Sequence, residues 1–366
     1  MTEPEPLAQI ERNHVQLKNR KLLYFSGCDY FRLARHPRVL DAAKRALTDH
    51  GLNVAASRLT TGNHALFGEL ERGLCAFFDA PDALLAATGY ITNLIVAQGL
   101  AGNFSHVLID ERAHPSLFDA APLLDCPVLK FRHQSVEDVA AASKRCGPGA
   151  GIILLTDGMF AYDGSAAPIR QYLEVLPKDA MLLVDDAHGA GVLGKTGKGT
   201  LEHARVPRRR VIQTITLSKA FGAYGGAILA NSRLRRQIIE RSRLFAGHTP
   251  LPLPLAAAAI ESIRLLGNDP SFRQRLNKNV DRLKSGLREA SFPSDELSPP
   301  GPIVYFRPAS TKASNKLERD FLRAGILPPI TRYPGMPAKG HFRCVISSEH
   351  TTHELQRLLA VLTDAC

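Results

Sequence analysis

The sequence predicts an α/β fold: a large domain built on a mostly parallel sheet, followed by a smaller C-terminal α+β domain. Three observations lead there. Short apolar runs recur between stretches of helical spacing, at 83–87 (ALLAA), 107–110 (VLID), 128–131 (VLKF), 152–156 (IILLT), 181–185 (MLLVD), 212–216 (IQTIT) and 227–230 (AILA). Several are continuously apolar, as strands covered on both faces are. Their alternation with helical stretches is the pattern of a parallel sheet. In such sheets ligands bind beyond the carboxyl ends of the strands, and here polar clusters follow the runs: TGYITN, DERAH, DGMFAYDG, DDAHGAG and TLSKAFG.

Along the chain, the first forty residues are mixed and polar. From Pro37 the stretch VLDAAKRALTDHG has helical spacing, with Gly51 as its stop. AASRLTTGNHALFGELERGLCAFF reads as a loop rich in Thr, Gly and Asn, then an amphipathic helix. After residue 247, HTPLPLPLAAAAIESIRLLGN predicts an extended, Pro-rich entry to a long helix. Beyond it, IVYFRP and FRCVISS are the strands expected of the smaller domain. These readings set boundaries at 1–36 for an N-terminal segment, 37–265 for the large domain and 266–366 for the small one.

Composition excludes several classes. With 366 residues, 45% hydrophobic and 22% charged, the chain has an ordinary globular balance, not that of a disordered, collagenous or coiled-coil protein. Residues 250–260, the most apolar-looking stretch, carry three prolines and fall short of the ~20 residues a membrane helix needs. The opening MTEPEPLAQ is acidic and has no apolar h-region, and the six cysteines form no CxxC pair. A cytoplasmic setting with reduced thiols is the expectation. The net charge of +11 raises nucleic acid as a partner. However, the basic stretches PRRR (207–210) and RLRRQIIERSR (233–243) hold no interleaved aromatics and read as solvated faces.

Candidate chemistry begins with Lys219. Most lysines are solvated, but this one follows the run VIQTITLS and precedes AFGAYGG, so burial among small residues can favour its neutral amine for a Schiff base. Gly222, Gly225 and Gly226 let a bulky cofactor approach, or simply form a turn. Asp185, at the end of MLLVD, is delivered to the same sheet edge. It either caps the next segment or faces a pyridine nitrogen and keeps it protonated. His188 can reach a ring oxygen or a substrate carboxylate. His114, in DERAHPSL, is a loop residue or stacks on a flat ring. Gly89 and Tyr90 open a helix whose free amides suit a phosphate, or are only a strand–helix turn.

Taken together and in order, ASRLTTGNHALFGELE, ATGYITN, DERAHPSL, LLVDDAHGAGVLG, TLSKAFGAYGG and FRCVISSEHTTHELQRLL resemble the α-oxoamine synthase family of pyridoxal-phosphate enzymes, of aminotransferase-like fold type I. The resemblance implies that Lys219 carries pyridoxal 5'-phosphate and moves protons at the substrate Cα, and that Asp185 pairs with the pyridine nitrogen. It implies that His188 meets the phenolic oxygen and His114 stacks on the ring. Gly89, Tyr90 and Thr216 would take the phosphate, and Arg343 the amino-acid carboxylate, for which a planar guanidinium is suited. The implied reaction condenses an amino acid with an acyl thioester, releasing CoA and carboxylate and leaving an amino ketone. Part of the basic excess then serves CoA phosphates. A homodimer with shared active sites is also implied, Thr249 or His248 reaching the partner's phosphate. Cys28, Ala161 and His248 depart from the family pattern, which bears on acyl-chain choice and phosphate affinity. An aminotransferase or a lyase on the same cofactor is the competing reading.

Overall fold

The computed structural model describes residues 5–331 and 339–364. Residues 7–23, which the sequence leaves as a mixed polar segment, form a three-stranded antiparallel meander: β1 (Leu7–Glu11), β2 (His14–Leu17) and β3 (Arg20–Leu23). The chain divides into two units. One comprises 1–32, 162–165 and 271–366, the other 33–161 and 166–270. The N-terminal residues up to 32 therefore share a unit with the C-terminal residues. The reason is backbone pairing: Leu23 N donates to Gly325 O (2.9 Å), Leu327 N to Leu23 O (2.9 Å) and Val345 N to Phe25 O (2.8 Å).

The larger unit holds a seven-stranded sheet of β4 (Asp82–Ala86), β5 (His106–Asp110), β6 (Val128–Phe131), β7 (Ile152–Asp157), β8 (Met181–Asp185), β9 (Val211–Thr216) and β10 (Gly226–Ala230). Their order is β4-β10-β9-β8-β7-β5-β6. All seven apolar runs are strands. The pairs from β9 through β6 are parallel, whereas β10 is antiparallel to both β9 and β4. Every residue of β7, β9 and β10 is buried, which accounts for the uninterrupted apolar runs. Side chains alternate between two cores. Ile153, Leu155, Leu183 and Ile212 meet Ile95, Val96 and Leu117 on one face, while Ile152, Leu154, Leu182 and Val184 meet Val139, Ile169 and Tyr172 on the other. Each such residue contributes about 1.5–3 kcal/mol by leaving water. A slip of one residue would exchange the two faces, so this packing fixes the register. It also brings Asp157, Asp185 and Thr216 to the carboxyl edge of three adjacent strands.

Helices form where the sequence places them. Pro37–His50 begins with proline in its first turn and stops at Gly51, φ 74°. Gly89–Gly99 is capped by Thr88, and Leu253–Asn268 follows the Pro-rich entry. Two arginines of PRRR are not solvated, as the sequence reading had them. Arg208 donates to Gln213 Oε1 (2.7 Å) and Phe78 O (2.9 Å), and Arg210 donates to Ala180 O (2.9 Å) and Leu173 O (3.1 Å). They tie loops to the sheet. Among the described residues no helix is long and apolar enough to cross a membrane.

The smaller unit adds β11 (Ile303–Phe306), β12 (Ile330–Thr331) and β13 (His341–Val345), antiparallel in the order β11-β13-β12. The helix Thr352–Thr363 follows, with a capping box of Thr351 and Glu354. Just before it, His350 is buried and stacks on Phe25 at 4.2 Å. Its Nδ1 accepts from Ser347 N–H (3.0 Å), which requires a neutral ring nitrogen. Burial, with Arg32 adding to it, lowers this imidazole to about 3. A pKa held below the ordinary 6.5 means that the unfolded chain takes up the proton first. The contribution is therefore present above pH 6.5 and is lost as pH falls toward about 3. The protection factors of the Phe342–Val345 amides, corrected for the intrinsic pH dependence of exchange, should fall on acidification through that window, by at most about 1.4 kcal/mol per pH unit from this group. His350→Gln should flatten the slope, and equal slopes in the two proteins would refute the assignment.

Candidate active site

A cavity of about 210 Å³ opens at the carboxyl edge of the large sheet, lined by Thr88, Gly89, Tyr90, His114, Ser116, Asp157, Asp185, Ala187, His188, Thr216, Ser218, Lys219, Tyr224 and Gly225. Eight of the residues singled out in the sequence line it: Gly89, Tyr90, His114, Asp185, His188, Thr216, Lys219 and Gly225.

Lys219 sits in the connection between β9 and β10. Leu217 N donates to Gly225 O, Ala223 N to Leu217 O and Gly222 N to Lys219 O, each at 2.9 Å, so the loop closes on itself. Gly222 has φ 56°, and a Cβ there would lie 2.3 Å from Ala34 N, so only glycine fits. The result is a half-buried Lys219 whose Nζ shares a 2.7 Å hydrogen bond with His188 Nε2.

Asp185 ends β8 and is 7% exposed. Its Oδ1 accepts from Ala187 N (3.1 Å), and its Oδ2 accepts from Asn93 Nδ2 (2.6 Å) and Ser116 Oγ (3.4 Å). Asn93 is itself held by Thr214, whose Oγ1 donates to Asn93 Oδ1 at 2.7 Å. These bonds orient the carboxylate. The next residue does something different. Asp186 accepts from Thr200 N (2.8 Å), Thr200 Oγ1 (2.5 Å) and Gln213 Nε2 (2.6 Å), anchoring the following loop, and burial pushes its carboxyl up to about 6.

His114 closes one wall. Its backbone N donates to Asp157 Oδ1 (2.8 Å), and its Nδ1 meets Ser116 Oγ (2.7 Å). Tyr90 stands edge-on to it at 5.9 Å, and the Tyr90 hydroxyl donates to Asp119. Burial holds the His114 imidazole below its ordinary range, against the pull of Asp185. A neutral ring suits contact with a flat aromatic system.

At the other end, helix Gly89–Gly99 starts at the cavity edge, which Gly89 and Tyr90 line, with Thr88 Oγ1 accepting from Ile91 N at 3.3 Å. Amides in a first turn have no intrahelical acceptor. A Cβ on Gly89 would fall 2.6 Å from Thr216 Cβ and 2.9 Å from its Oγ1. The missing side chain thus brings the helix terminus against Thr216, whose Oγ1 lies 2.7 Å from Ser218 Oγ. Amides and hydroxyls converge there as an anion cup. An amine and an imidazole, a carboxylate, a neutral ring and a cluster of hydroxyls at a helix start line one cavity. These donors fit pyridoxal phosphate.

Three candidates are elsewhere: Thr249, His248 and Arg343. Thr249 is exposed and outside the lining. His248 turns its Nδ1 to Leu244 O at 3.0 Å. Arg343, on β13 of the smaller unit, has Nη2 3.5 Å from Cys28 Sγ. Neither Cys28 nor Ala161 lines the cavity. The sequence reading missed Asn93, Ser116, Asp157, Ser218 and Tyr224. Ser218 and Tyr224 flank the lysine within TLSKAFGAYGG, but no local pattern ties Asn93 or Ser116 to Asp185.

The family model for aminotransferase class I and II matches residues 20–362. The chain is 35% identical over 351 residues to 8-amino-7-oxononanoate synthase of Hahella chejuensis, covering 95% of this chain and 88% of that enzyme. It is 35% identical over 348 residues to the same-named enzyme of Methylococcus capsulatus, covering 93% and 88%. A serine palmitoyltransferase from S. paucimobilis, solved with a bound PLP–myriocin aldimine, superposes with a TM-score of 0.91 at 26% identity, covering all of this chain and 93% of that one. The chain belongs to the aminotransferase class I and II family, fold type I, and within it to the α-oxoamine synthases.

Gly89→Ala tests the cup. The added methyl collides with Thr216 and should destabilise the fold by about 1–3 kcal/mol, measured as a urea midpoint. It should also weaken phosphate-ester binding in a titration of the cofactor-free protein. Thr216→Gly placed on top should recover stability but not phosphate affinity. Undiminished phosphate binding by Gly89→Ala alone would contradict the cup.

Proposed function

We propose that this chain is a pyridoxal-phosphate-dependent acyltransferase that condenses an amino acid with an acyl thioester to an amino ketone, releasing CoA, in the manner of the 8-amino-7-oxononanoate synthases. The observation that carries the reading is the placing of Lys219 and Asp185 on the rim of one cavity, inside a chain of this family. When bound, the cofactor withdraws electrons from the carbon next to the captured amine and so stabilises a carbanion there.

The chain's own groups divide the remaining work. Lys219 would hold the cofactor through Nζ, and its amine would take the proton from the substrate Cα. His188, 2.7 Å from Nζ, orients that amine and shares its proton. Asp185 keeps a proton on the ring nitrogen, with its geometry held by Asn93 and Ser116. His114 covers the ring face. The amides of Gly89 and Tyr90 and the hydroxyls of Thr216 and Ser218 hold the phosphate, so that the ring is pinned at both ends. For the amino-acid carboxylate we propose Arg343. A cytoplasmic homodimer, with Thr249 acting across the interface, completes the reading.

The test is a screen for thiol release, crossing alanine, glycine and serine with short, medium and long acyl-CoAs and with pimeloyl thioesters. Amino-acid-dependent release of CoA is expected from at least one pair. A flat panel with cofactor bound, together with keto-acid formation, would instead establish an aminotransferase. Lys219→Ala should lose the visible absorption of the lysine-linked cofactor and about 10²–10⁴-fold in rate.

A further inference from the structure

Three aspartates stand in a row at the carboxyl edge of adjacent parallel strands: Asp110 on β5, Asp157 on β7 and Asp185 on β8, with Asp157 and Asp185 paired in register. All three are buried. Asp157 and Asp185 share one face of the sheet on strands about 4.8 Å apart, too close for both carboxylates to ionise at no cost, whereas Asp110, offset by one residue in the β5–β7 register, turns to the other face. The three differ in the hydrogen bonds they accept. Asp110 accepts three, from Arg112 N (2.8 Å), His133 Nδ1 (3.0 Å) and Gln134 N (3.0 Å). Asp185 also accepts three, described above. Among the described residues Asp157 accepts one, from His114 N.

We propose that Asp157 is the neutral acid of this row: a positioning residue whose Oδ1 accepts the His114 amide as a carbonyl oxygen while its Oδ2 carries the proton. The inference rests on the reading of the cavity as a pyridoxal-phosphate site in what it implies for function, but not in its physics. Asp157 is 5% exposed, and burial followed by the Asp185 charge drives its carboxyl well above the ordinary carboxylate range. The groups whose charge or dipole acts on it are Asp185 on β8, Asp110 on β5, the His114 amide, and Lys219 from the β9–β10 connection. Only the last two favour its charge. Neutral, Asp157 leaves a single carboxylate at the cavity, that of Asp185. It also gives the His114 imidazole no second anion to draw a proton onto it, so the wall stays uncharged where it meets a ring.

Two measurements decide this. The first uses cofactor-free protein with carboxyl-labelled aspartate and records the infrared band of protonated carboxyl groups at pH 8, by which Asp186, at about 6, has ionised. The wild type should retain a band that Asp157→Asn lacks. No band at pH 8 in the wild type overturns the proposal whether or not the variant folds, and so does a band unchanged in Asp157→Asn. The second follows the pH midpoint of visible absorption in the loaded enzyme. Removing a charged neighbour would lower that midpoint by about one unit or more, whereas removing a neutral one should move it by less than about 0.5. A fall of about 0.5 or more in Asp157→Asn overturns the proposal. If no cofactor binds, the proposed function fails and the infrared result still stands alone.

Discussion

The site depends on the register of parallel strands buried on both faces. Because β7, β8 and β9 are held by apolar side chains above and below, their last residues are delivered to one edge at fixed spacing, and those residues are polar: Asp157, Asp185 and Thr216. Burial of hydrocarbon supplies the rigidity, and the polar groups spend some of that stability on being held dry. The buried Asn93 amide shows the arrangement. It is fixed by Thr214 from the sheet and turns its nitrogen onto Asp185, so one helix and two strands share responsibility for a single carboxylate.

The antiparallel strand β10 serves a separate need. A parallel neighbour to β9 would require a long crossover. A tight return lets the nine residues 217–225 fold back on the sheet edge, with Lys219 in their midst. The amine is thus carried by a closed loop and meets His188, which the loop after β8 supplies. The cup at Thr216 and Gly89 joins the same strand to the first turn of a helix, so both ends of a bound cofactor are referred to β9.

Much of this was legible in the sequence. The apolar runs marked all seven strands of the large sheet within a residue, because a strand buried on both faces leaves an uninterrupted signal. The motif residues around positions 89, 114, 185, 188, 216 and 219 also met in one cavity. What escaped has physical reasons. The meander of residues 7–23 is half exposed, with strands of four or five residues, too short for alternation to stand out. Its union with the C-terminal residues rests on backbone bonds at Leu23 and Phe25 and on side-chain bonds from Arg12 and Asn13 to Glu349 and Glu354, pairings too far apart in sequence for a local pattern to encode. The support for Asp185 spans 92 residues to Asn93 and 69 to Ser116, and a buried polar residue looks in sequence like any other. The arginines at 208 and 210 read as surface charge because their acceptors, mostly backbone carbonyls, are invisible in composition.

The central claim is that Lys219, and no other amine, is the cofactor's covalent partner, in the cavity where Asp185 meets its ring. Reduction of the coloured holoenzyme with borohydride, followed by peptide mapping, tests it directly. The account predicts a pyridoxyl group on the peptide containing Lys219 and none on that peptide when Asp185 is replaced by a bulky leucine that bars the ring. A pyridoxyl group recovered on a different lysine of the native enzyme would contradict it.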